Sequence, residues 1–249
     1  MHEPTLPAGL IEARRTPLFD ADSVPAALRS EHQTAVWAQL RVEAGSVRFY
    51  ELAGAEPRDV RVEAGDEIVI VPMVVHQVEP SSDARFYVQF FRTGDAPMIP
   101  GDDIQPDRNR AGAWKHRGRD LDTPDEIFEM VTRQYVDIGQ DELLHPYFTF
   151  GDGIDWQAHI GTVADFWCHA LLGTAYEIDT IENHRHLHDQ APFTPELFDR
   201  WMNIFYDSVD GGWSGPYATA AKRRADGIAW AMAKRLLGAG VWLPESRRA

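Results

Sequence analysis

The pattern of apolar positions changes character near residue 94. Upstream of it, short alternating runs are separated by glycine turns. The stretch "AVWAQLRVEAGSVRFYEL" breaks at Ala44-Gly45, "DVRVEAGDEIVIVP" breaks at Ala64-Gly65, and "RFYVQFFR" forms a further run. Alternation with period two puts successive side chains on opposite faces of a strand, so each run can bury one face. Several short strands at this spacing predict an all-β domain over residues 1–93, a sandwich or jelly-roll barrel.

Residues 94–122, "GDAPMIPGDDIQPDRNRAGAWKHRGRDLD", are rich in proline, glycine and charge and carry almost no apolar period. They read as a linker, with Trp114 available to dock on a neighbouring domain. From residue 123 to 249 the period becomes helical. "TPDE" at 123–126 offers Thr123 as a cap, Pro124 in the first turn and Glu126 to complete a capping box. "DWQAHIGTVADFWCHALLG" spaces Trp156, Ile160, Val163, Phe166, Trp167 and Leu171 along a helix that stops at Gly173. "TPELFDRWMNIFYDSV" repeats the cap signal and puts Phe198, Trp201 and Phe205 on one face. "GPYATAAKRRADGIAWAMAKRLLG" starts with Pro216 and stops at Gly238. The expected architecture is therefore an all-β domain followed by an all-α domain.

Charge and cysteine content narrow the function classes. A formal net charge of -15 over 249 residues argues against a broad surface for nucleic acid or for an anionic membrane. No apolar run approaches the roughly 18 residues of a transmembrane helix. The N-terminal text lacks the cationic-then-apolar layout of a signal peptide, and a lone Cys168 forms no internal disulfide. These features predict a reduced, cytoplasmic setting. Cys168, set in an apolar helix, reads as a small inert hydrophobe.

Candidate chemistry gathers in "NHRHLHDQAPFTPELFDRW", residues 183–201, where His184, His186 and His188 precede a proline-containing turn. The segments "YVDIGQDELLHPYF", "WQAHIGTVADFWCHALLG" and "HDQAPFTPELFDRWMNIF" occur in that order. Together they resemble group III truncated haemoglobins over residues 123–240. The resemblance implies a shortened globin fold holding b-type haem between helices, with a neutral imidazole on the iron's proximal side. Spacing to Trp201 singles out His188 as that ligand within the family pattern, while local order alone leaves His184 and His186 open. The family match puts Tyr135, His159 and Trp201 on the ligand side. Phe148, Phe166 and Phe198, with Trp167 and Phe205, become candidate pocket walls, a role their core packing would share.

The first half resembles a small cupin domain of the uncharacterised type found with tellurite-resistance proteins. "GDEIVIVPMVVH", from Gly65 to His76, follows a second cupin motif, and His32 in "SEHQT" lies where a first-motif ligand could sit. The resemblance implies a divalent metal held by His76 and His32, with Glu31 as a further ligand. However, adjacent Glu31 and His32 point to opposite faces if they lie in a strand. An empty shell serving as a docking domain is the competing reading. Overall, the sequence points to a haem protein that binds oxygen, nitric oxide or carbon monoxide, for carriage or sensing. The alternative is an enzyme, a nitric oxide dioxygenase or a peroxidase-like protein. No Rossmann-type glycine fingerprint is present, so that alternative requires a separate reductase as partner.

Overall fold

The computed structural model describes residues 4–52, 57–93, 119–148, 155–178 and 180–248. Positions 94–118 of the expected linker, Trp114 included, lie outside the described residues. The chain divides into two compact units, one built on strands and one on helices.

In chain order the first unit runs β1 (Leu10–Arg15), α1 (Ala26–Arg29), β2 (Ala38–Ala44), β3 (Ser46–Glu51), β4 (Asp59–Glu63), β5 (Glu67–Ile70), β6 (His76–Pro80) and β7 (Arg85–Thr93). One antiparallel sheet has the order β1-β7-β2-β5 and the other β4-β3-β6. Consecutive strands mostly fall in different sheets, so the chain repeatedly crosses between two layers. The expected alternation is realised. Leu40 and Val42 of β2, Val47 and Phe49 of β3, and Phe86, Val88 and Phe90 of β7 point inward to a shared core. The first of these crossings, from β2 to β3, turns on Gly45. Its φ is +63°, and a Cβ there would stand 2.7 Å from Ser81 Oγ and 2.8 Å from Ala84 Cα. Only glycine meets both demands.

The second unit contains α2 (Pro124–Gly139), α3 (His145–Phe148), α4 (Trp156–Leu172), α5 (Thr180–Gln190), α6 (Pro195–Asp210) and α7 (Pro216–Leu236). The expected stop of α4 at Gly173 holds, and Asp155 caps its start. Asp155 accepts a hydrogen bond from the Ala158 N–H at 3.1 Å, and Gly173 is left-handed (φ +76°) with its N–H on the His169 carbonyl. Thr123 caps α2 through the Glu126 N–H at 3.3 Å. Thr194 occupies the cap position of α6, but its side chain makes no capping bond. The segment with three histidines is itself helical: α5 extends to Gln190, and the turn begins only at Ala191. Trp167, Phe205, Ile127, Met130 and Ile138 sit fully buried in the core of this unit. Among the described residues no helix is long and apolar enough to cross a membrane.

The start of α7 is capped from a distance. Gly215 precedes Pro216 and has no side chain to offer, so the carboxylate of Asp120 accepts from the Tyr217 N–H (3.0 Å) and the Ala218 N–H (2.7 Å). Arg119 beside it pairs with Glu126 and Glu129, and its guanidinium lies 5.3 Å from the centre of the Trp213 ring. Arg133 lies 4.9 Å from the same ring, and the Trp213 indole N–H donates to Glu126. Asp120→Ala is therefore expected to leave two helix-end donors unpaired and to lower stability by about 0.5–2 kcal/mol. Denaturant titration followed by helical circular dichroism measures the loss, and Asp120→Asn should recover most of it.

Candidate functional site

On one wall of the helical unit, α2 and α4 bring Tyr135 and His159 together. The Tyr135 hydroxyl lies 3.0 Å from His159 Nε2, and the ring centres are 5.0 Å apart. Burial pushes the Tyr135 phenol well above its ordinary range and pulls His159 below its own. Both groups are thus neutral at pH 7, and a single proton is shared along the bond. Phe148 of α3 packs edge-on against Tyr135 and His159 and stacks on Trp156, whose ring also meets Tyr135. Three of the residues singled out in the sequence, Tyr135, His159 and Phe148, therefore form one cluster. Trp156 joins it, although the sequence offered it only as a helix-face residue.

Helix α5 supplies the histidines. His184 and His188 are one turn apart and share a face, whereas His186 is exposed and its Nε2 lies 2.9 Å from the Gln190 side-chain nitrogen. His184 Nδ1 is 2.6 Å from the Thr180 carbonyl oxygen. Burial lowers the His184 pKa, and His184 in turn adds to the lowering of His159, after burial. His188 Nδ1 accepts a hydrogen bond from the Phe193 backbone N–H at 2.9 Å. Phe193 lies edge-on to both His184 and His188 and meets Phe198, which packs on Trp242. The Tyr147 hydroxyl donates to the Pro192 carbonyl, tying α3 to this turn. Nothing in the periodicity of "APFTP" flagged Phe193. Its place between two prolines was the one available signal.

The remaining candidates form a third group. Trp201 stacks on Phe205 (5.3 Å, 13° between planes), and Phe205 stacks on Trp167 (4.8 Å, 22°). Phe166 lies edge-on to Trp167 and Tyr176. Trp201 thus belongs to an aromatic column, with its ring contact to Phe205 rather than to Tyr135. Cys168 beside this column is buried, and burial raises its thiol pKa.

In the strand unit, His32 and His76 meet. Their backbones form an antiparallel bridge, and their ring centres are 4.3 Å apart, edge to face. His76 also stacks on Phe49 at 5.3 Å. Burial, followed by the neighbouring His32, lowers the His76 pKa to about 3; burial also lowers His32. Each ring has its Nδ1 2.9 Å from a backbone carbonyl, of Ser30 for His32 and of Val74 for His76. A carbonyl only accepts, so each neutral ring carries its proton on Nδ1 and a lone pair on Nε2. Both rings line a cavity with Leu28, Thr34, Leu40 and Ile70. Glu31, the third ligand expected from the sequence, is exposed. Among the described residues no three His, Cys, Asp or Glu side chains gather as a metal-holding group. Glu31 is not among the residues that line the cavity with His32 and His76.

The Tyr135–His159 bond makes a stability statement. His159→Leu leaves the buried Tyr135 hydroxyl without its partner and is expected to cost about 1–3 kcal/mol. Adding Tyr135→Phe removes the orphan as well, so the double variant should be more stable than His159→Leu alone. Chemical denaturation of the four proteins of the cycle tests this.

Residues 14–88 match the family model described as a TehB-like domain. The helical part is similar to the group 3 truncated hemoglobin ctb of Campylobacter jejuni, 26% identical over 109 residues, which is 42% of this chain and 84% of that protein. Among solved structures, the group III truncated hemoglobin from Campylobacter jejuni aligns with 46% of this chain and 91% of its own, at 25% identity and a TM-score of 0.42. A protein from E. coli strain K12 aligns with 37% of this chain and 99% of its own, at 26% identity and a TM-score of 0.34. TehB from Haemophilus influenzae aligns with 34% of this chain and 32% of its own, at 25% identity and a TM-score of 0.32. This chain thus pairs a TehB-like region with a region similar to group III truncated hemoglobin.

Proposed function

We propose that the helical unit binds b-type haem through a histidine of α5 and holds a diatomic gas beside Tyr135 and His159. The observation that carries this reading is the neutral pair of buried Tyr135 and half-buried His159 on one wall, with an α5 histidine near enough to influence His159. The donor set suits the group: imidazole for iron, aromatic walls from Phe148, Phe166 and Phe198, and a hydroxyl for a polar ligand. Similarity to group 3 truncated hemoglobin supports the same reading. When bound, haem supplies an iron with an open position for oxygen, nitric oxide or carbon monoxide.

The chain's own contribution is the direction of one proton. If His159 carries its proton on Nδ1, the Tyr135 hydroxyl donates to Nε2 and is spent. If His159 carries it on Nε2, the imidazole donates to the Tyr135 oxygen, and the hydroxyl proton is free to face a gas ligand. Oxygen becomes more polar than carbon monoxide on binding and gains more from that donor. A charge-assisted bond of this kind contributes about 1.5–3 kcal/mol. Tyr135→Phe is therefore expected to speed oxygen dissociation roughly ten- to a hundredfold, at about 1.4 kcal/mol per decade, and carbon monoxide dissociation less. Stopped-flow displacement measures both; unchanged oxygen dissociation would remove Tyr135 from the role and leave Trp201 as the candidate donor. We favour binding, for carriage or sensing, over nitric oxide dioxygenation or peroxidase-like turnover, which needs a separate reductase to return the iron to its working state.

A second reading concerns the strand unit, proposed as cupin-like. Two matched Nε2 lone pairs in one cavity favour a divalent metal held by His32 and His76, with water in the remaining positions. Full-length protein from metal-replete medium is expected to carry near-stoichiometric metal, and His76→Ala to carry none, by elemental analysis. Metal-free wild-type protein would sink the idea.

A further inference from the structure

Apart from His32 and His76, two polar residues line the cavity of the strand unit, Thr34 and Gln140; the rest of the lining is hydrocarbon, Leu40, Ile70 and Phe86 among it. The Thr34 hydroxyl is engaged, donating to the Val36 carbonyl at 2.9 Å. Gln140 belongs to the short stretch 139–142 that groups with the strand unit, and it is 2% exposed. Its side-chain nitrogen is buried and meets no acceptor among the described residues, so neither imidazole lone pair takes its proton. A buried amide donor left unpaired is unfavourable, and this one faces a cavity that can admit an acceptor from outside the chain.

Charge points the same way. Both rings are neutral, and among the described residues no carboxylate lines the cavity. Glu51 stands opposite His76 in the β3–β6 register and is buried, but two N–H groups of the Arg58 guanidinium hold its carboxylate. That pair sums to zero. A divalent ion on the two Nε2 atoms therefore keeps its whole charge inside a largely apolar cavity. Without a counter-ion that is strongly unfavourable.

Resting on the metal reading above, we infer that the cavity binds a small oxygen anion, a carboxylate or an inorganic oxyanion. One of its oxygens takes a position on the metal held by His32 and His76, and another accepts from the Gln140 amide. The anion supplies the missing negative charge and the missing acceptor together. Gln140 thereby selects the ligand: chloride can neutralise a metal, but it has no second atom to reach the amide.

The test titrates cobalt(II) into metal-free full-length protein in chloride, formate or sulfate at one ionic strength, reading the visible absorption of the bound ion. His76→Ala supplies the baseline for cobalt held elsewhere on the chain. Formate or sulfate is expected to tighten cobalt binding relative to chloride, and the one that acts tells a carboxylate from a tetrahedral oxyanion. Gln140→Leu should keep the metal but raise the dissociation constant of that anion roughly ten- to a hundredfold, the ordinary loss for a hydrogen bond to a charged acceptor. Gln140→Glu brings the negative charge with the chain, so in chloride it should bind cobalt more tightly than wild type, and neither anion should add to it. Circular dichroism checks that both variants fold. Equal cobalt affinity in all three salts would overturn the inference and leave the metal reading standing, as would an unchanged anion constant in folded Gln140→Leu. Wild-type protein that binds no cobalt in any salt would remove the metal reading, and this inference with it.

Discussion

A buried imidazole stays neutral, and a neutral imidazole has one proton for two nitrogens. Much of the chemistry available to this chain follows from that constraint. Burial holds His32, His76, His159 and His184 below the ordinary histidine pKa. Whatever meets one ring nitrogen then decides what the other can offer. Three rings set a carbonyl against Nδ1 and present a lone pair: His32, His76 and His184. The half-buried His188 sets a backbone N–H there and presents a proton instead. His159 has a hydroxyl as partner, which can donate or accept, and so it alone among these rings is left two arrangements.

The fold was legible wherever the signal was local. Gly45 and Gly65 mark turns in the sequence and adopt positive φ in the structure. Asp155 and Gly173 bracket α4 because a carboxylate and a glycine solve the two ends of a helix by local chemistry. The helical nature of α5 was harder to read, since "TIENHRHLHDQ" has few apolar residues to set a period and buries no residue fully. The distant cap on α7 was beyond any local pattern: Asp120 lies 97 residues before Tyr217.

The candidate site divides the same way. Tyr135 and His159 stood out through the family resemblance and Phe148 as a candidate pocket wall, and the structure brings the three into ring contact. Trp156 and Phe193 were missed as site residues because an aromatic on a helix face or in a turn carries no mark of its neighbour. Glu31 was offered only by adjacency to His32, and it is exposed while His76 is buried. The partners of His184 and His188, the Thr180 carbonyl and the Phe193 N–H, are backbone groups, which every non-proline residue possesses and which no sequence pattern distinguishes.

Cys168 is the chain's one cysteine, and it lies buried on α4 beside Trp167 in the helical core. The strand unit contains no thiol. A thiol reagent therefore reports on a single unit: labelling requires the helical core to open, and unfolding of the sheets leaves no chemical trace. The molecule carries its own clock for the breathing of one half.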